Sequence, residues 1–295
     1  MSDAQGNSSR DAFARMIGEV RPKLHRYCAR MTGSAIDGED VVQEAIAKAI
    51  EADRGQIENL EGWLFRIAHN AALDHLRRKA RQEAGRSDEV LDMIADTASE
   101  IDRRIAAEAG LRTFMHLPAA QRSSIILMDV LGLSLDEIHG VTDMTVPAIK
   151  ASLHRGRTRL REIARRGEDA PQPVLNEPER SLLAAYIDRF NARDFDAVRD
   201  MLADEVRLEL VNKTRLKGRE VNSYFGNYSN VHDWHFVAGF VDRRPAVLVR
   251  RPDDASARPA YFILLEWTGD SVAAIRDYRH ARYVADDAEM IEMAR

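Results

Sequence analysis

Twelve residues, "GEDAPQPVLNEP" (167–178), hold three of the chain's nine prolines. Proline fixes φ and lacks an N–H, so neither a helix nor a sheet ladder runs through such a stretch. It divides the 295 residues into two parts with different local grammar, as expected of a boundary between domains. Before it, residues 1–110 contain Pro22 as their only proline and are dominated by strong helix formers. After it, one amphipathic helix ("ERSLLAAYIDRFNARDFDAVRDML") precedes β-branched and aromatic runs: "VRLELV", "WHFVAGFV", "AVLVRR", "AYFILLEW" and "VAAIRDYR". Partial alternation in these runs predicts strands, and so an α+β domain over 179–295.

In "DGEDVVQEAIAKAIEA", Val42, Ala45, Ile46, Ala49 and Ile50 recur at helical spacing. The acids at its start suit a helix N-terminus, placed at Asp37 or Gly38. A second helix runs through "LEGWLFRIAHNAALDHLRRKARQ", with Trp63, Leu64, Ile67, Ala68 and Ala71 as its apolar stripe. Residues 82–107 are polar and acid-rich and read as a linker with some helix. Helical patterning resumes at 108–166, where Pro118 marks a helix start and Gly132 a helix end. A short helix over about 134–141 is followed by a tight "TDM" turn and then by a helix with Thr145 as its N-cap. That last helix has an apolar stripe of Ile149, Leu153, Gly156 and Leu160.

The chain carries a formal net charge of −5, yet "TVPAIKASLHRGRTRLRE" (145–162) holds five Lys/Arg against one acid. The charge is spread unevenly: 25 Lys/Arg and 25 Asp/Glu in residues 1–166, then 18 and 23 in residues 167–295. Local fields decide nucleic-acid binding, so an acidic total does not exclude it. Two short helices across a tight turn, the second basic, form the pattern of a DNA-binding helix-turn-helix. The wheel leaves Ala148, Lys150, Ala151, His154, Arg155 and Thr158 on exposed faces, with small residues for close approach and cations for base edges or phosphates. The arginines further along would lie over backbone phosphates. The competing reading, cations that merely suit a helix C-terminus, leaves the upstream helix–turn punctuation unexplained.

With 45% hydrophobic and 31% charged residues, the chain is of globular composition. No apolar run approaches the roughly 18 residues of a membrane span, and "MSDAQGNSSRDAF" lacks a signal-peptide core. Cys28 is the single cysteine, which excludes an internal disulfide and a cysteine metal cluster. A cytoplasmic protein without membrane contact, metal or cofactor is expected.

"DGEDVVQEAIAKAI" followed by "GWLFRIAHNAALDHLRRKAR" resembles conserved region 2 of the extracytoplasmic-function (ECF) sigma factors of the sigma-70 family. "LPAAQRSSIILMDVLGLSLDEIHGVTDMTVPAIKASLHRGRTRL" resembles their region 4, and the two blocks stand in the family's order. The resemblance implies two all-α sigma domains: a region 2 helical bundle over 1–85 and a region 4 helix-turn-helix over 108–166, joined by a linker, 86–107. It implies a transcription initiation factor rather than an enzyme, with RNA polymerase core and promoter DNA as partners. Region 2 would dock on the β′ clamp helices and melt the minus-ten element. Region 4 would dock on the β flap and read the minus-thirty-five element.

By position, Asp40, Gln43 and Glu44 fall on the polymerase-contact helix, and Asn70, Asp74, Arg77, Arg78 and Lys79 on the helix that meets minus-ten DNA. The loop "ADRGQIENLE" falls where the family captures a flipped base, which needs contacts to replace lost stacking. Thr145, Ala148, Lys150, Ala151, His154 and Arg155 fall on the minus-thirty-five helix. Pro147 stands where the family commonly has Gly, and Ser152 where it often has Arg; both bear on the promoter sequence read.

The segments after 178 resemble a SnoaL-like domain, a cone-shaped α+β fold whose curved sheet wraps helices around a pocket. His232, His235, Asp277 and Tyr278 are the candidates for a polar pocket floor, while Trp234, Phe236, Tyr261 and Trp267 read as core. The acidic charge of this domain and its fusion through a Pro-rich linker (167–178) imply a built-in regulator in intramolecular contact with the sigma domains. The alternative is a bifunctional protein whose C-terminal domain binds or turns over a small molecule.

Overall fold

The computed structural model describes residues 2–52, 57, 59–83, 100–166, 172–251 and 258–293. The chain divides into two compact units, Met1–Asp169 and Ala170–Arg295, each with its own core.

The first unit begins with α1 (Ser2–Thr32), α2 (Ala35–Glu51) and α3 (Leu60–Glu83). α1 stops at Gly33, whose φ of 76° only glycine adopts freely. Its N–H closes on the Ala29 carbonyl at 2.8 Å. Ser34 then caps α2, its hydroxyl accepting from the Asp37 N–H at 3.2 Å. α2 therefore starts at Ala35, ahead of the Asp37 or Gly38 that the acid run implies, because the serine is the cap. A Cβ on Gly38 would lie 2.5 Å from the Ala29 nitrogen, so α1 and α2 meet backbone against backbone.

Leu24, Tyr27, Val42, Ala45, Leu64 and Phe65 fill the interior. Trp63 packs partly against it, and so does Ile67. Ile50 is 53% exposed; at 100° per residue it sits at the margin of the α2 stripe and not on its centre line.

The same core continues into the second half of the unit. α4 (Glu100–Glu108), where the sequence reads as linker with some helix, is followed by a 3₁₀ turn (Thr113–His116) and α5 (Ala119–Ile125). Pro118 opens α5, which widens into a π turn over Ile126–Val130 and ends before Gly132 (φ 77°). α6 (Leu135–Thr142) carries a capping box: the Ser134 hydroxyl accepts from the Glu137 N–H at 3.3 Å, and the Glu137 carboxylate accepts from the Ser134 N–H at 2.7 Å. Asp143, at φ 58°, turns the chain out of α6. α7 (Val146–Arg166) follows, with the Thr145 hydroxyl accepting from the Ala148 N–H at 3.4 Å.

The second unit is an α+β domain. Its seven-stranded sheet has the order β2-β1-β6-β5-β4-β3-β7, from β1 (Leu202–Leu210), β2 (Thr214–Lys217), β3 (His235–Val241), β4 (Arg244–Arg250), β5 (Tyr261–Thr268), β6 (Ser271–Asp277) and β7 (Met290–Glu292). Every pairing is antiparallel except β1 with β6. The long helix read after the linker is two, α8 (Glu177–Asn191) and α9 (Phe195–Arg199). Arg193 (φ 61°) breaks the run, and Asp194 caps α9 by accepting from the Ala197 N–H at 3.0 Å. α10 (Asn222–Ser229), α11 (Tyr283–Asp287), β2 and β7 are further elements that the hydrophobic pattern does not announce. Phe190 of α8 holds the core together, stacked on Phe236 at 4.3 Å and edge-on to Tyr228 and Trp234.

Candidate functional site

On α7, Thr145 and Lys150 are exposed, and Ala148, His154 and Arg155 are half-buried. Ile149, Leu153, Gly156 and Leu160 are buried and turn the opposite side inward. Ala151 departs from its expected exposure and is buried at 3%. Side chains on a helix lean back toward its N-terminus, so His154 and Arg155 overlie a methyl too short to emerge.

The basic segment is also less available than its count of cations implies. Arg157 is buried and forks onto Asp129 at 2.9 and 2.7 Å. Arg161 forks onto buried Asp102 at 2.6 and 2.7 Å. Both arginines, expected over phosphates, are engaged within the protein: each neutralises a carboxylate taken out of water, where an unpaired charge is costly. The outer flank of α7 forms a groove of about 520 Å³ with the 3₁₀ turn, lined by His116, His154, Arg155, Arg159, Glu162 and Arg166.

In the helical hairpin before it, Asp40 is exposed on α2, and Gln43 and Glu44 are half-buried. On α3, Asn70, Arg77 and Arg78 are exposed, and Asp74 and Lys79 half-buried. Arg77 pairs with Asp74 at 3.1 Å, Lys79 with Asp37 at 3.6 Å, and Arg78 with Glu44 at 3.0 Å. Lys48 also reaches Glu44 at 2.8 Å; desolvation is the largest single effect on that carboxyl and raises it, but the hydrogen bonds and charges of Lys48 and Arg78 together outweigh it and hold the group below its usual range. The Arg77–Asp74 and Arg78–Glu44 pairs face solvent and contribute at most about 1 kcal/mol each, so phosphates or an opposing protein surface can replace them, whereas the Asp37 carboxylate under Lys79 is buried. Residues 53–56 and 58 of the "ADRGQIENLE" loop, and 84–99 of the linker, lie outside the described residues.

The two helical halves also meet directly. Arg66 on α3 pairs with Asp143 at 2.6 Å. The Arg122 guanidinium donates to the carbonyls of Met31 at 2.5 Å and Leu117 at 2.9 Å. Burial lowers its pKa to about 10. Sequence reasoning missed Arg66, Arg122, Asp102 and Asp129, which lie outside the matched faces and show no local periodic signal.

Residues 16–82 match the family model for Sigma-70 region 2, and residues 111–160 that for Sigma-70 region 4. The ECF RNA polymerase sigma factor SigW of Bacillus subtilis (strain 168) is 30% identical over 165 residues, covering 52% of this chain and 88% of that protein. The chain belongs to the ECF sigma factors. Among solved structures, it is similar to the ECF sigma factor SigJ of Mycobacterium tuberculosis: 17% identity, 90% of this chain and 95% of that one, TM-score 0.36. It is also similar to a SnoaL-like protein of Burkholderia thailandensis: 20% identity, 40% of this chain and 99% of that one, TM-score 0.29.

In the α+β domain of this ECF sigma factor, Asp277 is fully buried at the end of β6. Its Oδ2 accepts from the hydroxyls of Tyr224 at 2.9 Å and Tyr228 at 2.7 Å, and its Oδ1 accepts from the Arg279 N–H at 2.8 Å. The Tyr228 and Tyr261 hydroxyls lie 3.1 Å apart. Burial raises the Asp277 pKa, and its hydrogen bonds only partly oppose that. Burial, then the charge of Asp277, pushes Tyr261 up to about 12. Buried Tyr186 Oη and Trp234 Nε1 have no hydrogen-bond partner among the described residues.

The four expected pocket residues do not share a floor. Tyr278 stacks on Phe262 at 4.2 Å, on the sheet face opposite Asp277, because successive strand residues alternate. His232 and His235 are exposed. The groups around Asp277 are tyrosines instead. Tyr224 and Tyr228, four apart on α10, carry the one sequence signal that could have found them.

Proposed function

We propose that this sigma factor directs core RNA polymerase to promoters with its helical faces divided by task. Asp40, Gln43 and Glu44 on α2 meet the β′ clamp helices. Asn70, Asp74, Arg77, Arg78 and Lys79 on α3 meet and melt the minus-ten element. The start of α7, with Thr145, Ala148, Lys150, His154 and Arg155, reads the minus-thirty-five element while region 4 rests on the β flap. The observation that carries this reading is α7 itself: its first turns present exposed Thr145 and Lys150, with Arg155 on the side away from the buried stripe. Gel shifts test it. Promoter DNA should be held weakly by the protein alone and firmly once core polymerase is added; tight binding without polymerase would instead identify a repressor or activator acting by itself.

The reading makes the protein a cytoplasmic binding factor with no catalytic step. Among the described residues, no helix is long and apolar enough to cross a membrane. The acidic α+β domain acts as the regulator of the sigma domains, in place of a separate inhibitor. Deleting residues 170–295 and measuring promoter-directed transcription tests this, and unchanged activity with unchanged polymerase affinity would refute it.

A second reading rests on the buried Asp277–tyrosine cluster, with Tyr186 and Trp234 as unpartnered polar groups in the same core. It makes the α+β domain a small-molecule binder or catalyst. Retention of a ligand by the wild type and its loss in Asp277→Asn would favour it.

A further inference from the structure

β1 and β6 run parallel with Leu210 opposite Asp277, and the Val211 N–H donates to the Asp277 carbonyl at 3.0 Å. The two strands therefore leave the sheet at the same end. There β1 turns through Asn212 (φ 66°) and Lys213, whose N–H closes on the Leu210 carbonyl at 2.9 Å. β6 runs on into Tyr278–Arg282. The topology brings Lys213 to Arg279, His280 and Arg282. Their proximity is felt at His280, whose pKa is lowered by desolvation first and then by Lys213, Arg279 and Arg282.

Two of these cations are held in place. The Arg279 guanidinium sits 4.8 Å from the Tyr228 ring centre and that of Arg282 5.7 Å from the Tyr261 ring centre. Those rings are joined through their hydroxyls and anchored on Asp277. Other cations of the domain are matched by acids: Arg199 with Asp196, Arg207 with Glu266, Arg215 and Arg276 with Glu209, Lys217 with Glu205, Arg251 with Asp233. Among the described residues, no acidic side chain forms an ion pair with Lys213, Arg279 or Arg282. Asp277 lies beneath the tyrosines, its oxygens already accepting from Tyr224, Tyr228 and the Arg279 N–H. An acid-rich domain thus gathers like charges at one end of its sheet; against desolvation, Tyr228, Tyr261 and the buried Asp277 beneath raise the Arg279 pKa, and no exposed acid among the described residues pairs with the cluster.

We propose that Lys213, Arg279, His280 and Arg282 form a binding site for a small anion carrying a phosphoryl group, where β1 and β6 leave the sheet. Guanidinium forks bind such oxygens bidentately and an ammonium adds a point charge. A tetrahedral dianion offers oxygens to two guanidiniums and an ammonium from one centre, whereas a dicarboxylate of equal charge spreads its oxygens over two separate planar groups. The patch is one turn wide in an acidic domain, which suits a small ligand rather than a nucleic-acid strand.

The full-length protein, titrated with inorganic phosphate at low salt by calorimetry, should show saturable binding. Arg279→Ala with Arg282→Ala should weaken it about tenfold or more. Lys213→Ala, which leaves both ring contacts in place, should weaken it severalfold, with melting curves confirming that each variant is folded. Malonate should bind more weakly than phosphate. Absence of binding to the wild type, equal binding to all variants, or malonate binding as tight as phosphate would overturn the assignment. This outcome is independent of promoter-directed transcription, so it can fail without the sigma-factor reading failing.

Discussion

Arg155 and Arg157 stand two places apart on α7 and answer to different partners. Arg157→Ala strands the Asp129 carboxylate in the core and should cost about 3–5 kcal/mol, read as a lower urea midpoint for the transition of the helical unit, with the slope of that transition unchanged. Arg155→Ala should lower that midpoint far less than Arg157→Ala, weaken minus-thirty-five-dependent initiation, and reduce the salt dependence of promoter binding by about one ion if the contact is to phosphate. A wheel drawn from the sequence separates the two arginines, since Arg157 flanks the Ile149/Leu153/Leu160 stripe. It does not supply Asp129, a partner 28 residues away. His69 is a second buried group with a measurable signature. Its Nδ1 shares a hydrogen bond with the Tyr27 hydroxyl at 2.6 Å, and burial lowers its pKa from 6.5 to about 4. The unfolded chain takes up a proton between those values and the native state does not, so stability is full above the unfolded pKa and falls as pH drops from 6.5 toward 4. The loss is on the order of 3 kcal/mol. His69→Gln should flatten that part of the stability–pH curve.

Elements here are decided as much by caps and close approaches as by hydrophobic period. Gly38→Ala puts a methyl 2.5 Å from the Ala29 backbone nitrogen. α1 and α2 must then separate, at a cost of about 1–3 kcal/mol, visible as a lower melting temperature of the helical unit. The helix-turn-helix was legible because Ser134, Asp143 and Thr145 punctuate it locally. The break between α8 and α9 was not, because it depends on Arg193 in a left-handed conformation that its residue type does not favour. The Asp277 site was half legible: the carboxylate was picked out, but its partners on α10 and β5 come from strand order, which no short-range pattern fixes. Asp277→Ala would leave the Tyr224 hydroxyl without its acceptor, at a cost of about 1–3 kcal/mol, while Tyr228 keeps the Tyr261 hydroxyl within reach. The melting temperature of the α+β domain should fall accordingly.

At the scale of the molecule, two separate cores on either side of the Pro-rich segment predict unfolding that is not two-state. Phe65→Ala should lower one calorimetric transition and Phe190→Ala the other, each by the equivalent of about 3–5 kcal/mol; a single transition displaced by both would show that the units melt together. The parallel β1–β6 pairing bears as well on how the protein is made. β1 cannot find its central neighbour until some 70 further residues have been added, and pairings so distant along the chain form late. The helical unit, by contrast, is fully synthesised by Asp169. At roughly 5–20 residues per second, about 5–20 seconds of every round of synthesis pass with the promoter-reading helices already out of the ribosome and the acidic domain not yet able to close its sheet.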